Sequence, residues 1–116
     1  MIFVRVTLDV SCHAVYGYLR AFTPDEVART EAWIPTDFYL DAGGQWLGFD
    51  LHPRDGVTLG GPTSVRFNDR PIAHKFPWNQ VNVDLDKNGQ MLGIEFLFDR
   101  TMGVPDRLAN LSIEKG

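Results

Sequence analysis

The chain is expected to fold as one mainly β domain: two tandem antiparallel hairpin or meander repeats packed as a pseudo-twofold sandwich, with a short C-terminal helix or loop. Three observations lead there. Eight phenylalanines, three tyrosines and three tryptophans stand beside ten valines, five isoleucines and seven threonines, against only seven alanines, a composition that favours strands over helices. Several short stretches alternate apolar and polar residues. One stretch is also written twice.

The first strand-like segment alternates Ile2, Val4, Val6, Leu8 and Val10 with Phe3, Arg5, Thr7 and Asp9, the two-residue period of a half-buried strand. Residues 14–21 and 27–33 are the next candidate strands. Between them Thr23-Pro24-Asp25-Glu26 has the form of a capping box with proline at the first helical position, so one helical turn is expected there. The second half offers 57–59, 63–68 and 71–76, punctuated by Gly60-Gly61-Pro62 and Asp69-Arg70-Pro71. After Asp99 the alternation stops, and residues 101–116 read as a loop, a short helix near 105–111 and a loose tail.

The doubled stretch is residues 38–51 laid over residues 83–96. Six of the fourteen ungapped pairs are identical: Leu40/Leu85, Asp41/Asp86, Gly44/Gly89, Gln45/Gln90, Leu47/Leu92 and Gly48/Gly93. The same offset of 45 places Trp33 over Trp78. Each copy reads as a hairpin. Asn88-Gly89 is the turn signal of the second, because both residues tolerate positive φ, and folding about it opposes Leu85 to Leu92, Val83 to Ile94 and Val81 to Phe96. In the first copy Gly43-Gly44 is the expected turn, with Leu40 opposite Leu47 and Phe38 opposite Phe49. Asp41/Trp46, Tyr39/Gly48 and Asp37/Asp50 then point away from the core. The chain divides accordingly into repeat one (1–53), repeat two (54–99) and a tail (100–116) within one compact domain.

The string from Val81 to Leu97, VNVDLDKNGQMLGIEFL, resembles the closing hairpin of the small prokaryotic family called domain of unknown function 2283. That hairpin has the pattern V-x-x-D-x-x-G-x-x-x-G-I-E-x-L. Asp9, Ala14, Tyr16 and Leu19 stand where the family's early strand has its marked residues, and Val27, Arg29 and Thr30 fit its middle strand. The chain is thus similar to two diverged copies of that unit. The resemblance implies a small, mainly β module and carries no activity.

Composition narrows the function classes. A single cysteine, Cys12, excludes an internal disulfide, and the N-terminus lacks the basic start and apolar run of a signal peptide, so the cytoplasm is the expected compartment. No apolar run approaches the ~18 residues of a membrane span. The 11 basic and 15 acidic residues are scattered, without the one-sided basic patch of a nucleic-acid binder. No cofactor motif is present.

Asp84, Asp86, Asn88 and Glu95 fit the oxygen-ligand spacing of an EF-hand calcium loop, but the alternating, proline-containing residues ahead of them leave no entering helix. Cys12, His13, His52 and His74 lack the paired spacing of a zinc site, and read as a small thiol and surface imidazoles. No serine-nucleophile motif or phosphate loop occurs, so enzymatic activity is not expected. Trp46 falls on the outward face with Tyr39 and Met91, and these three form the expected docking set for a protein partner. The favoured reading is a non-enzymatic interaction or regulatory module, inhibitor- or antitoxin-like, monomeric or homodimeric. The alternative is a small-molecule binder, or an enzyme without a recognised motif, with a pocket near Trp33 and Trp78.

Overall fold

The computed structural model describes residues 2–9, 11, 13–98, 107, 108, 111, 112, 114 and 115. The chain is mainly β. In order the strands are β1 (Arg5–Asp9), β2 (Ala14–Tyr18), β3 (Arg29–Glu31), β4 (Thr36–Leu40), β5 (Trp46–Leu51), β6 (Ser64–Arg66), β7 (His74–Trp78), β8 (Val81–Leu85), β9 (Met91–Leu97), β10 (Arg107–Leu108), β11 (Leu111–Ser112) and β12 (Glu114–Lys115). One sheet has the order β12-β1-β2-β9-β8-β3 and another β6-β5-β4-β7, antiparallel throughout except where β12 joins β1. Among the described residues no helix is long and apolar enough to cross a membrane.

Both hairpins form where expected, and their outer registers are as read from the sequence: Phe38 opposes Phe49, Tyr39 opposes Gly48, Val83 opposes Ile94 and Val81 opposes Phe96. The turns differ from the expected two-residue type. In each, the aspartate N–H donates to the glutamine carbonyl four residues on, at 3.0 Å for Asp41–Gln45 and 2.9 Å for Asp86–Gln90. The glycine one residue earlier adopts a left-handed conformation (φ 82° at Gly44, 77° at Gly89). These are three-residue loops, a type I turn closed by a glycine bulge.

The shared Asp-x-x-Gly-Gln string explains the choice. The aspartate Oδ1 accepts the N–H groups of Gly43 and Gln45 in one turn, and those of Asn88 and Gln90 in the other, all at 2.9 Å. Only one residue then needs positive φ, and glycine supplies it.

The bulge has a consequence for packing. Register shifts by one residue beside each turn, so Leu40 opposes Trp46 and Leu85 opposes Met91. Trp46 and Met91 therefore turn inward, where each retains 6% exposure, instead of lying on the outward face. The Trp46 indole N–H donates to the Gly48 carbonyl at 2.7 Å.

The two aspartate caps also set a pH dependence. Asp41 is held below its ordinary value chiefly by the Gln45 N–H, and Asp86 chiefly by the Gln90 N–H. A carboxyl depressed in the native state contributes stability that is complete above the unfolded-state value, about pH 4, and is lost as pH falls through the folded value. The double variant Asp41→Asn/Asp86→Asn is thus expected to show a flatter acid limb than the parent when midpoints of urea unfolding are compared from pH 5 downward. An unchanged acid limb would contradict these caps.

The strands ahead of the hairpins do not stay with their own hairpin. β3 pairs with β8, with Arg29, Thr30 and Glu31 opposite Leu85, Asp84 and Val83. β7 pairs with β4, with His74, Lys75 and Phe76 opposite Leu40, Tyr39 and Phe38. Likewise β2 lies beside β9 and β6 beside β5. The two sheets thus interleave the halves of the chain, in place of a self-contained meander in each.

The connections account for this. Only residues 79 and 80 separate β7 from β8, and residues 32–35 separate β3 from β4. Each is a corner that carries the chain from one sheet to the other. At the second corner Trp33 adopts φ 57° and Arg54 holds the carbonyls of Ala32 and Trp33.

The apolar faces of the two sheets share one core, which includes Val6, Val15, Phe38, Trp46, Phe49, Val81, Ile94 and Phe96. Phe96 is fully buried, with ring centroids 5.0 Å from Trp46, 5.1 Å from Phe49 and 5.8 Å from Phe38, joining β9 of one sheet to β4 and β5 of the other.

The capping-box turn is present as a 3-10 turn over Pro24–Glu26, where the Thr23 N–H donates to the Glu26 carboxylate at 2.7 Å. The short helix expected near 105–111 is not there in the described residues. Instead β10 pairs antiparallel with β11. A seven-residue helix lies below the length that sustains itself without packing.

Candidate functional site

The antiparallel register brings the start of β4, the end of β5 and the end of β7 to one end of the four-stranded sheet. Thr36 opposes both Leu51 and Trp78. The His52 N–H extends the β4–β5 ladder by donating to the Pro35 carbonyl at 2.8 Å. His52 therefore stands diagonal to Asp37 on the sheet's outward face. There it meets the Asp37 carboxylate, with Nε2 2.8 Å from Oδ2. Lys75 Nζ lies 3.7 Å from the same oxygen. Since the carboxylate can only accept, Nε2 carries the shared proton, and Nδ1 is the ring nitrogen Asp37 does not engage.

A cleft of about 400 Å³ opens at this end of the sheet, lined by Pro35, Thr36, Asp37, His52, Pro77, Trp78 and Asn79. That is within the usual range for small-ligand sites. Trp78 is fixed: its indole N–H donates to the Leu97 carbonyl on β9 at 2.7 Å, so the ring bridges the sheets and its polar edge is already satisfied. The Thr36 hydroxyl is buried and donates to the Ile34 carbonyl at 2.9 Å. Thr36 and Trp78 oppose one another with their side chains toward the core, so the groups left to meet a ligand are the Asp37–His52 pair and the Asn79 amide. All are carried on strand ends or a two-residue corner, which hold their positions closely.

The matched positions of the other hairpin show that the fold does not require this pair. Asp37 and His52 correspond, at the offset of 45, to Asn82 and Leu97, while Trp78 corresponds to Trp33. Asn82 donates to the Glu95 carboxylate at 2.9 Å and its carbonyl oxygen accepts the Trp33 N–H at 3.1 Å. That end of the six-stranded sheet thus holds together with no charged pair on those positions. Trp33 is 52% exposed and does not line the cleft. Of the two tryptophans expected at a pocket, the structure places Trp78 there and Trp33 outside.

The three residues expected to form a protein-docking patch are not one surface. Trp46 and Met91 lie in the core, for the reason of turn geometry given above. Tyr39 alone faces outward, and it is engaged: its hydroxyl donates to Asp50, and the Arg66 guanidinium stacks 4.0 Å over its ring. The bond to Asp50 raises the Tyr39 hydroxyl above its ordinary value. Burial pushes the Asp50 carboxyl up, but hydrogen bonds from Ser64, Tyr39 and Arg66 outweigh it and hold the group below its ordinary value.

The calcium-spaced residues belong to a hairpin rather than a helix–loop–helix. Asp84 accepts hydrogen bonds from the hydroxyls of Tyr16 and Thr30, both at 2.6 Å; Asp86 caps the turn; Glu95 pairs with Asn82. Burial and then the bond to Asp84 push the Tyr16 hydroxyl well above its ordinary range. Among the described residues no group of three or more His, Cys, Asp or Glu side chains is placed to hold a metal ion. Cys12 lies outside the described residues, His13 sits at the β1–β2 turn with φ 55°, and His74 is exposed on β7.

No protein-family model matches the chain, and the comparisons with curated proteins and with solved structures found no match.

Sequence reasoning reached Trp78 but treated His52 and Asp37 as unrelated surface groups. The signal that unites them was present: folding the first hairpin with Phe38 opposite Phe49 puts residue 35 opposite residue 52, hence His52 diagonal to Asp37.

Proposed function

We propose that this protein binds a small molecule in the cleft beside the Asp37–His52 pair. The observation that carries the reading is the Asp37–His52 pair in a cleft at the sheet end, on positions where the matched hairpin uses Asn82 and Leu97. Polar groups that a fold does not need, gathered in a concave and partly apolar site, are the usual composition of a ligand pocket.

The role assigned is binding rather than catalysis. His52 is an oriented base, but the one hydroxyl lining the cleft, that of Thr36, is committed to a backbone carbonyl. A protein-docking role through Trp46, Tyr39 and Met91 loses its surface once two of the three are buried. The resemblance to the domain of unknown function 2283 supplies no activity, so the reading rests on the cleft. The cytoplasm remains the proposed compartment, on the single cysteine.

Thermal unfolding with pooled metabolites tests the proposal. A ligand present at a hundred times its Kd stabilises the native state by about 2.7 kcal/mol. At least one pool is expected to raise the midpoint of the parent protein and to leave His52→Ala and Asp37→Ala at their own ligand-free midpoints. Equal stabilisation of parent and both variants would place binding elsewhere and contradict the proposal.

A further inference from the structure

We infer that two copies of this chain associate end to end about a twofold axis, each placing Trp33 in the other's cleft, so that the dimer is the form closed to ligand; that last consequence rests on the small-molecule reading above. Trp33 is the most exposed aromatic side chain among the described residues, at 52%. Its backbone adopts φ 57°, a conformation uncommon for a bulky residue. Hydrogen bonds hold it there: the Trp33 N–H donates to Asn82 Oδ1 at 3.1 Å, and the Arg54 guanidinium donates to the carbonyls of Ala32 and Trp33. An apolar ring held outward on a strained, fully tied corner is fixed before a partner arrives, which cuts the entropy lost on docking. The indole N–H also differs from the other two. Trp46 donates to Gly48 and Trp78 to Leu97, whereas among the described residues the Trp33 indole has no acceptor.

The cleft supplies what this indole lacks. Its volume of about 400 Å³ has room for the ring, and Pro35 and Pro77 give it apolar walls on the outward face of the four-stranded sheet. His52 Nε2 and Asp37 Oδ2 are committed to one another, which leaves His52 Nδ1 and Asp37 Oδ1 as acceptors for an N–H. Projection and recess lie at the same end of the molecule. There the Ile34 N–H donates to the Val81 carbonyl of one sheet, Thr36 opposes Trp78 in the other, and the His52 N–H reaches the Pro35 carbonyl. A twofold axis at that end seats both rings at once and closes the assembly at two copies. Pairing of sheet edges is the less suitable route, because β7, the open edge of the four-stranded sheet, carries Lys75 and Pro77. A ring seated against Asp37 and His52 excludes any ligand that contacts the same pair.

Sedimentation velocity of the full chain, at concentrations up to about 1 mM, tests the dimer. The parent is expected to dimerise, and Trp33→Gly to raise the dissociation constant at least about thirtyfold, the mark of an interface hot spot. Glycine suits φ 57°, so this variant removes the ring without disturbing the fold. Asp37→Ala should weaken the dimer as well; if it does not fold, His52→Ala takes its place. An equal mixture of Trp33→Gly and Asp37→Ala should dimerise more tightly than either variant alone, because one of its two contacts is intact. A parent that stays monomeric, a dimer indifferent to Trp33→Gly, or a mixture no tighter than its components would overturn the inference. The metabolite pools described above separate the dimer from the small-molecule reading. A pool that stabilises the parent is expected to lower its dimer fraction, and stabilisation with that fraction unchanged would overturn the placement of Trp33 in the cleft. If no pool stabilises the parent and the variants behave as expected, the small-molecule reading falls and the dimer stands.

Discussion

Trp46→Ala is expected to lower the free energy of unfolding by about 3–5 kcal/mol, the range for deleting a large aromatic from a packed core. The indole is almost wholly buried, lies within 5.0–6.0 Å of the rings of Phe38, Phe49, Phe67, Phe96 and Phe98, and has its N–H satisfied by Gly48. Its burial depends on the glycine bulge that shifts the register beside the turn. With the simpler two-residue turn the same side chain would face solvent, and truncation would change stability by no more than about 0.5 kcal/mol. Urea unfolding of this one variant therefore discriminates between the two turns. A near-neutral result would return Trp46 to the surface and revive it as a docking residue.

Phe96→Ala is expected to be at least as costly, again about 3–5 kcal/mol, in a domain whose total stability should lie in the ordinary range of about 5–15 kcal/mol. Phe96 has no exposure and touches rings from β4 and β5 across the space between the sheets. Its loss leaves a cavity between β9 of one sheet and the rings of β4 and β5 on the other, which cannot close without moving one sheet against the other. Phe96→Leu should recover most of the loss, because it restores volume. Since Phe96 and Trp46 are in contact, the double variant is expected to lose less than the sum of the single losses. Additive effects, or a loss under about 1 kcal/mol for Phe96→Ala, would contradict a core shared by the two sheets.

Much of this architecture was legible in the sequence, and the failures have specific causes. Alternation located β1, β4 and β8, in which buried residues take turns with more exposed ones, whereas β5 and β9, buried on both faces beside the turn, were located as the returning arms of the repeated hairpins. The register of both hairpins away from the turn followed from the same pattern. Near the turn, Asn88-Gly89 and Gly43-Gly44 drew attention as pairs able to take positive φ. The information that mattered was the aspartate three residues before the second glycine, whose side chain caps the loop and selects a type I turn with a bulge.

The exchange of flanking strands was harder to see. β3 has three residues, all five residues of β7 carry appreciable exposure, and their partners are fixed by the corners at 32–35 and 79–80 rather than by their own hydrophobicity. At the site, Trp78 stood out as a matched tryptophan. Asp37 and His52 did not, because neither belongs to a motif, although the hairpin register legible in the sequence already sets them diagonal to one another. The comparison that singles them out is internal, with Asn82 and Leu97 on the corresponding positions of the other hairpin.

The placement of the ligand site is the claim most open to direct test, and a crystal soak with a library of small polar and apolar fragments addresses it without knowing the ligand. Fragment density should concentrate in the cleft at the Asp37–His52 pair, with hydrogen-bonding groups toward Asp37, His52 or Asn79. Fragments that instead gather on the outward face around Tyr39, or beside the exposed Trp33, and leave an accessible cleft empty would contradict the account.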